Sequence, residues 1–366
     1  MNKKFNVGLV GCGNISGAYL KAAQTFKDLI EISVCSDINM KAAEMKAKEF
    51  NLKAVPPKEL YSDKSIDIIL NLTLPASHSE VNKIALESGK HVHCEKPFAL
   101  NITDANDVLN TAKKKNLRVG SAPDTFLGGG LQTCRKIIDD GWIGKPIAGT
   151  AFMMCHGHES WHPNAGFYYL KGGGPMLDMG PYYLTALVHL LGPIQSIMAF
   201  TEMTFKERVA ICKELYGRKL PVEVQTHQAG VIKFLNGAII NIIMSFDVWK
   251  HSHNPIEIYG TEGSIQIPDP NTFGGQPKLS VKNGEWKDIP LSHGYTENMR
   301  IIGLADMAAA IIQNRQHRCN GTMATHVLEA MLAFEESSKN MKAVTLKSTC
   351  QQPAPLPIGL FNGELD

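Results

Sequence analysis

Over the first third of the chain, short apolar runs alternate with stretches whose apolar residues recur at helical spacing, and the two periods predict strands and helices in turn. Strands are predicted at residues 5–10, 29–36, 67–72, 91–94 and 117–122. Helices are predicted at 16–26, 40–50, 79–88 closed by Gly89, and 104–115 with Thr103 as N-cap. This alternation is the sequence form of a parallel sheet wrapped by helices. A boundary is expected at Ala122-Pro123, giving a first domain over 1–122.

After a helix at 131–140 the pattern changes to longer strands joined by turns. Asn236-Gly237 separates strand-like runs 226–235 and 238–247, and predicts an antiparallel hairpin with a type I′ turn. Residues 256–259 and 264–267 predict a second hairpin, and Asn283-Gly284 marks a further turn. Helices are predicted at 299–313 and 324–337, and the Pro-rich segment 352–357 reads as extended. The expected fold class is α/β: a doubly wound parallel sheet followed, over 123–366, by an α+β domain with a large, open, mostly antiparallel sheet.

Composition narrows the function by exclusion. Of 366 residues, 44% are hydrophobic and 20% charged, enough to bury ordinary cores. A net charge of +2 gives no field to attract nucleic acid, and no basic stretch is interleaved with aromatics. No apolar segment at the start is long enough for a signal peptide or a membrane span, so a cytoplasmic protein is expected. The eight cysteines form no C-x-x-C pair, which argues against a zinc ribbon and for reduced thiols.

Gly11-Cys12-Gly13-Asn14-Ile15-Ser16 follows the first strand and opens a helix. Gly11 suits the tight turn there, and Gly13 lets a pyrophosphate approach the backbone. Ser16 stands where a third glycine is usual. Asp37 ends the second strand, about 20 residues past the turn, where a carboxylate accepts hydrogen bonds from a ribose diol. The same carboxylate repels a 2′-phosphate, and no arginine follows it, so NAD is expected over NADP.

Together with Leu74-Pro75-Ala76-Ser77-His78, Glu95-Lys96-Pro97 and the run from Gly172 to Gly180, these motifs resemble the glucose-fructose oxidoreductase, inositol dehydrogenase and rhizopine catabolism (Gfo/Idh/MocA) family over nearly the whole chain. The resemblance implies a Rossmann domain, an α/β domain whose sheet often forms a homo-oligomer interface, a nicotinamide cofactor, no metal, and a sugar, polyol or glycoside as substrate. It also implies that Asn14, Ile15, Thr73, Pro75 and His78 line the dinucleotide and that Glu95 contacts the nicotinamide side. Lys96 would then stand between nicotinamide ribose and substrate, with a cis bond before Pro97. Beside a cationic nicotinamide, the Lys96 ammonium is expected to bind its proton less tightly and to serve as a base.

Many members of that family carry an aspartate and, four residues later, a proton-accepting histidine. Here those positions are Asp178 and Tyr182, one turn apart on a helix expected to carry Pro181 in its first turn and to run to Leu191, with Asp178 placed to cap it. Lys96 and Tyr182 are expected to share deprotonation, nearby cations favouring a Tyr182 phenolate, while Asp178 orients substrate. Asp124, His156, His158, Trp161, His162 and Tyr183 are the substrate-side candidates, the histidines and Trp161 for hydrogen bonding and stacking on a sugar ring. The expected activity is NAD-dependent oxidation of a secondary hydroxyl to a ketone, with glycoside C3 oxidation preferred. The alternatives are an NAD-retaining glycoside hydrolase or lyase and a non-catalytic dinucleotide or sugar sensor.

Overall fold

The computed structural model describes residues 3–366. Six parallel strands form the first sheet: β1 (Phe5–Val10), β2 (Ile30–Ser36), β3 (Lys53–Ala54), β4 (Ile68–Asn71), β5 (His91–Cys94) and β6 (Val119–Ser121). Their order is β3-β2-β1-β4-β5-β6. The strand order reverses between β1 and β4, so the crevice beyond their carboxyl ends is where a doubly wound sheet takes its ligand. Five helices wrap it: α1 (Ser16–Ala23), α2 (Met40–Phe50), α3 (Pro57–Ser62), α4 (His78–Glu87) and α5 (Ile102–Lys115).

Helix α5 shows how the sequence sets these elements. Ala105, Val108 and Ala112 form its buried face, three lysines close its last turn, and Asn116 ends it in the left-handed region. Its cap is Asn101 rather than Thr103. The Asn101 side chain accepts the Asp104 N–H at 2.9 Å, and Thr103 already lies inside the helix.

Helices α6 (Gly129–Asp139) and α7 (Gly174–Leu191) lead into a second, nine-stranded sheet. Its strands are β7 (Pro146–Met154), β8 (Ile194–Glu202), β11 (His227–Phe234), β12 (Ile239–Ser245), β13 (Ile256–Gly260), β14 (Gly263–Ile267), β15 (Lys278–Val281), β16 (Lys287–Asp288) and β17 (Val344–Thr345). A separate ribbon pairs β9 (Glu207–Val209) with β10 (Lys219–Pro221). The large sheet runs β16-β15-β14-β13-β7-β12-β11-β8-β17, antiparallel throughout except for β7 beside β12. One face packs on α7 and on α9 (Gly321–Asn340), which follows α8 (Ile302–Gln313). The opposite face leaves Met198, Phe200, Val231 and Ile239 exposed.

Two local expectations change. In the β11–β12 hairpin only Gly237 has positive φ, at +95°, so the turn is not type I′. The Gly237 N–H bonds Phe234 O, and Leu235-Asn236-Gly237 form a three-residue loop ending in a left-handed glycine. Helix α7 begins at Gly174 with Pro175 in its first turn, so Pro181 lies inside the helix rather than in that turn. Asp178 is therefore an interior helical residue and not an N-cap.

The two sheets are tied together near the site. Gly120 bridges to Asn320, the Ser121 N–H donates to Cys319 O at 3.1 Å, and α9 packs on α5 and β6. A small second core (Ala165, Tyr169, Ala210, Cys212, Leu220, Val222, Phe246) supports the segment beside the cleft. At its side the buried Arg208 pairs with Asp247 at 2.9 Å and with Glu159 at 3.3 Å, and Tyr169 donates to Glu159.

Candidate active site

The glycine turn after β1 sits at the switch point. Gly11 has φ +97°, and a Cβ there would come within 2.5–2.7 Å of the backbone of Leu72 and Thr73. A Cβ on Gly13 would meet nothing within 4 Å. One glycine is thus required by the fold, and the other keeps open the surface that a pyrophosphate would cover. Asn14 and Ile15 are exposed beside it at the amino end of α1, where free N–H groups favour an anion. Ser16 is fully buried, and its hydroxyl donates to Gly13 O at 2.6 Å, holding the turn in place of a third glycine.

Asp37 accepts the Cys12 N–H at Oδ2 and the Asn39 N–H at Oδ1, both at 2.8 Å. Each oxygen keeps a further lone pair for a ribose hydroxyl. Thr73 and Pro75 are half-buried on the facing loop. This set of residues fits a dinucleotide.

Two cofactor-side expectations are corrected. His78 is fully buried and does not line the crevice. Its ring nitrogens lie 2.7 Å from Pro97 O and 2.9 Å from Thr73 O, so it joins the Thr73 loop to the Lys96-Pro97 segment. Glu95, 8% exposed, accepts the Tyr19 hydroxyl and the Lys96 N–H, both at 2.7 Å, which commits it to the fold rather than to the nicotinamide. The Lys96-Pro97 bond is cis.

Lys96 Nζ donates to Asp178 Oδ1 at 2.9 Å and to Asp178 O at 2.7 Å, and lies 5.1 Å from the Tyr182 ring centroid. Burial pulls the Lys96 pKa down, but Asp178, Tyr182 and Glu95 outweigh it and hold the ammonium above its ordinary range. For Asp178, burial opposes ionisation, yet Lys96 and His158 hold the carboxyl well below its usual range. The expected weakening of the Lys96 proton is therefore reversed in the protein alone. The Tyr182 phenolate is not favoured either. Burial raises the pKa of this phenol, 7% exposed, more than Lys96 and Arg300 lower it.

The substrate-side candidates divide. His158 Nε2 stands 3.3 Å from Asp178 Oδ2, with Tyr168 at 4.1 Å and Trp161 at 5.4 Å between ring centroids. His162 packs edge-on against Trp161, Phe167 and Tyr168, and Trp161 is 60% exposed. His156 turns elsewhere, stacked on Trp249 at 3.3 Å and next to Arg208.

Asp124 and Tyr183 are corrected. Asp124 is 1% exposed, and its Oδ2 accepts the Ile301 and Gly303 N–H groups at the start of α8, so it caps that helix and cannot meet substrate. Burial pushes its pKa up to about 6. Tyr183, one helical step from Tyr182, points at the sheet and donates to Phe152 O at 3.2 Å.

The sequence reading missed Tyr19, Tyr168 and Arg300. Arg300 is held by Asn271 and Asn298, and the next residue, Ile301, sits at φ +122°. Such a conformation costs a β-branched residue on the order of 1–3 kcal/mol and is held here by Asp124. Only the carboxylate of Asp124 beyond β6 gave any sign of it in the sequence.

A glycine turn at a parallel-sheet switch point, with a ribose-binding carboxylate and a lysine–aspartate pair across the crevice, defines an NAD-binding Rossmann oxidoreductase. Residues 5–122 match the oxidoreductase family with NAD-binding Rossmann fold, and residues 131–266 match the GFO/IDH/MocA C-terminal domain. The chain belongs to the GFO/IDH/MocA oxidoreductase family, and its cofactor is NAD. Among its relatives, a 1,5-anhydro-D-fructose reductase of Ensifer adhaerens is 25% identical over 80% of this chain and 83% of its own length. A D-glucoside 3-dehydrogenase of Escherichia coli is 26% identical over 66% of this chain and 70% of its own. A levoglucosan dehydrogenase in complex with NADH shares the fold with a TM-score of 0.81 at 20% identity, over 94% of this chain and all of that one (100%).

Proposed function

We propose that the protein oxidises a secondary hydroxyl of a sugar, polyol or glycoside to a ketone. The observation that carries this reading is the Lys96–Asp178 pair facing the crevice beyond the glycine turn. Bound there, NAD supplies a hydride acceptor at nicotinamide C4. Gly11 and Gly13 shape the pyrophosphate surface, and Asp37 holds the adenosine ribose. Lys96 donates a hydrogen bond to the substrate oxygen and handles its proton. Asp178 fixes Lys96 and orients the substrate, and the Tyr182 ring backs the ammonium.

Within this class the preferred substrate is a glycoside oxidised at C3. Trp161, Phe167 and Tyr168 provide flat apolar faces near His158 and Asp178, suited to a pyranose ring. One relative is a D-glucoside 3-dehydrogenase. All eight cysteines are free, which supports a cytoplasmic enzyme. The apolar outer face of the nine-stranded sheet, with a hollow of about 680 Å³ along β8, β11 and β12, supports a homo-oligomer closed on that face.

The test is a panel of free sugars, inositol, and methyl and aryl glucosides assayed for NADH formation, with the ketone located by NMR. Lys96→Ala should lower turnover by about 100-fold or more while NADH still binds. Near-normal turnover in that variant sinks the assignment.

A further inference from the structure

His158 carries two ring nitrogens that are buried and have no hydrogen-bond partner. Leaving such groups unpaired in a buried site is unfavourable. Nε2 nevertheless stands 3.3 Å from Asp178 Oδ2, close enough for an ion pair once the ring is charged. Asp178 is thus a bridge, with Oδ1 on Lys96 and Oδ2 toward His158.

The resting state raises a question about the proton. Lys96 is an ammonium already holding the proton it would need to accept, and Tyr182 is a buried phenol. An imidazole is the side chain whose ordinary titration lies near neutrality. We propose that His158 is the terminal proton acceptor of a Lys96–Asp178–His158 relay, filling the role that the histidine displaced by Tyr182 leaves open. The proposal rests on the reading of Lys96 as the residue at the substrate oxygen.

The carbinol C–H bond breaks and its hydrogen leaves with both electrons as hydride to the nicotinamide. The O–H proton goes to Lys96 Nζ as Lys96 passes one of its own to Asp178 Oδ1, and the carboxyl group turns to hand that same proton to His158 Nε2. A C=O bond forms, the alcohol is oxidised by two electrons, and NAD is reduced by two. Lys96 and Asp178 end as they began, while His158 becomes an imidazolium paired with the Asp178 carboxylate.

The polar groups around His158 are consistent with this role. Asp178 faces it from α7 and Lys96 from the segment after β5. Tyr168 and Tyr169 approach from the 165–169 turn, Tyr169 receiving the His158 N–H at 3.1 Å. Glu159 and His162 lie on its own loop, Glu159 occupied by Tyr169 and Arg208. From the end of β12 comes the Phe246 ring, 4.6 Å away. Asp178 is thus the carboxylate left to stabilise the imidazolium.

His158→Gln should lower turnover at pH 7 by about 100-fold on the panel's best substrate, with NADH binding unchanged. The near-neutral limb of its pH–rate profile should disappear, leaving activity that rises only at alkaline pH, and imidazole should restore part of the rate to His158→Ala. An unchanged pH profile in His158→Gln, or a loss equal at every pH without imidazole rescue, overturns the relay. If Lys96→Ala keeps its turnover, the reading of Lys96 fails instead. If Lys96 is essential and His158→Gln behaves as wild type, only the relay falls.

Discussion

Lys96 Nζ holds both the side chain and the backbone carbonyl of Asp178, at 2.9 and 2.7 Å, across 82 residues of sequence. The lysine comes from the first sheet and the aspartate from the helix under the second. Their contact therefore ties the two halves of the chain together at the candidate site.

That pair has a defined pH signature. The folded pKa of Asp178 is depressed, so its contribution to stability is present above about pH 4 and is lost as pH falls through the folded value. The folded pKa of Lys96 is raised, so its contribution is present below about pH 10 and is lost as pH rises through the folded value. Asp178→Asn leaves the ammonium without its counter-charge and should cost about 3 kcal/mol, constant between about pH 5 and 9. Urea unfolding of both proteins across pH measures this, and a difference that grows toward acid contradicts it.

The two glycines of the turn separate folding from binding. Gly11→Ala forces a Cβ into the Leu72–Thr73 backbone at positive φ and should destabilise the protein by more than about 1 kcal/mol. Gly13→Ala meets no protein atom, so its thermal midpoint should stay put while NADH affinity falls about tenfold or more. Calorimetry and NADH fluorescence titration distinguish the two, and equal effects on both quantities would count against the assignment.

Asp37 is expected to set the choice of cofactor. Wild type should prefer NAD over NADP, and Asp37→Ser should narrow that preference by about tenfold by removing the charge that repels a 2′-phosphate. Steady-state kinetics with both cofactors decide it. A wild-type preference for NADP refutes the role given to Asp37.

Met198 and Phe200, 48% and 58% exposed, stand on the outer face of the sheet. If the proposed homo-oligomer closes on this face, Phe200→Asp should yield a monomer without unfolding it, since the side chain already faces out. Sedimentation velocity reads the result, and an assembly unchanged in mass moves the interface elsewhere.

Much of this was legible because it is local. The apolar runs of β1, β2, β4 and β5, the glycine turn and Asp37 lie close together in sequence, and their spacing is dictated by strand and helix geometry. Contacts made over long separations left no such trace. Tyr19 meets Glu95 across 76 residues, and Asp124 meets Ile301 across 177. The family resemblance placed His78 in the crevice, but the start of α4 carries it under the loop. Pro181 misled because two prolines competed for the first turn of α7 and Pro175 occupies it. Ile301 gave no signal, since nothing in an isoleucine announces positive φ.

The grip of Asp124 on the start of α8 also bears on protein engineering. A recombinant that exchanged the cofactor-binding half with a relative at a crossover just after residue 124 would part that carboxylate from the helix it caps. The peptide before α8 would lose what holds Ile301 in its costly conformation, and Arg300 its placement with it. A workable crossover keeps Asp124 and residues 300–303 from the same parent.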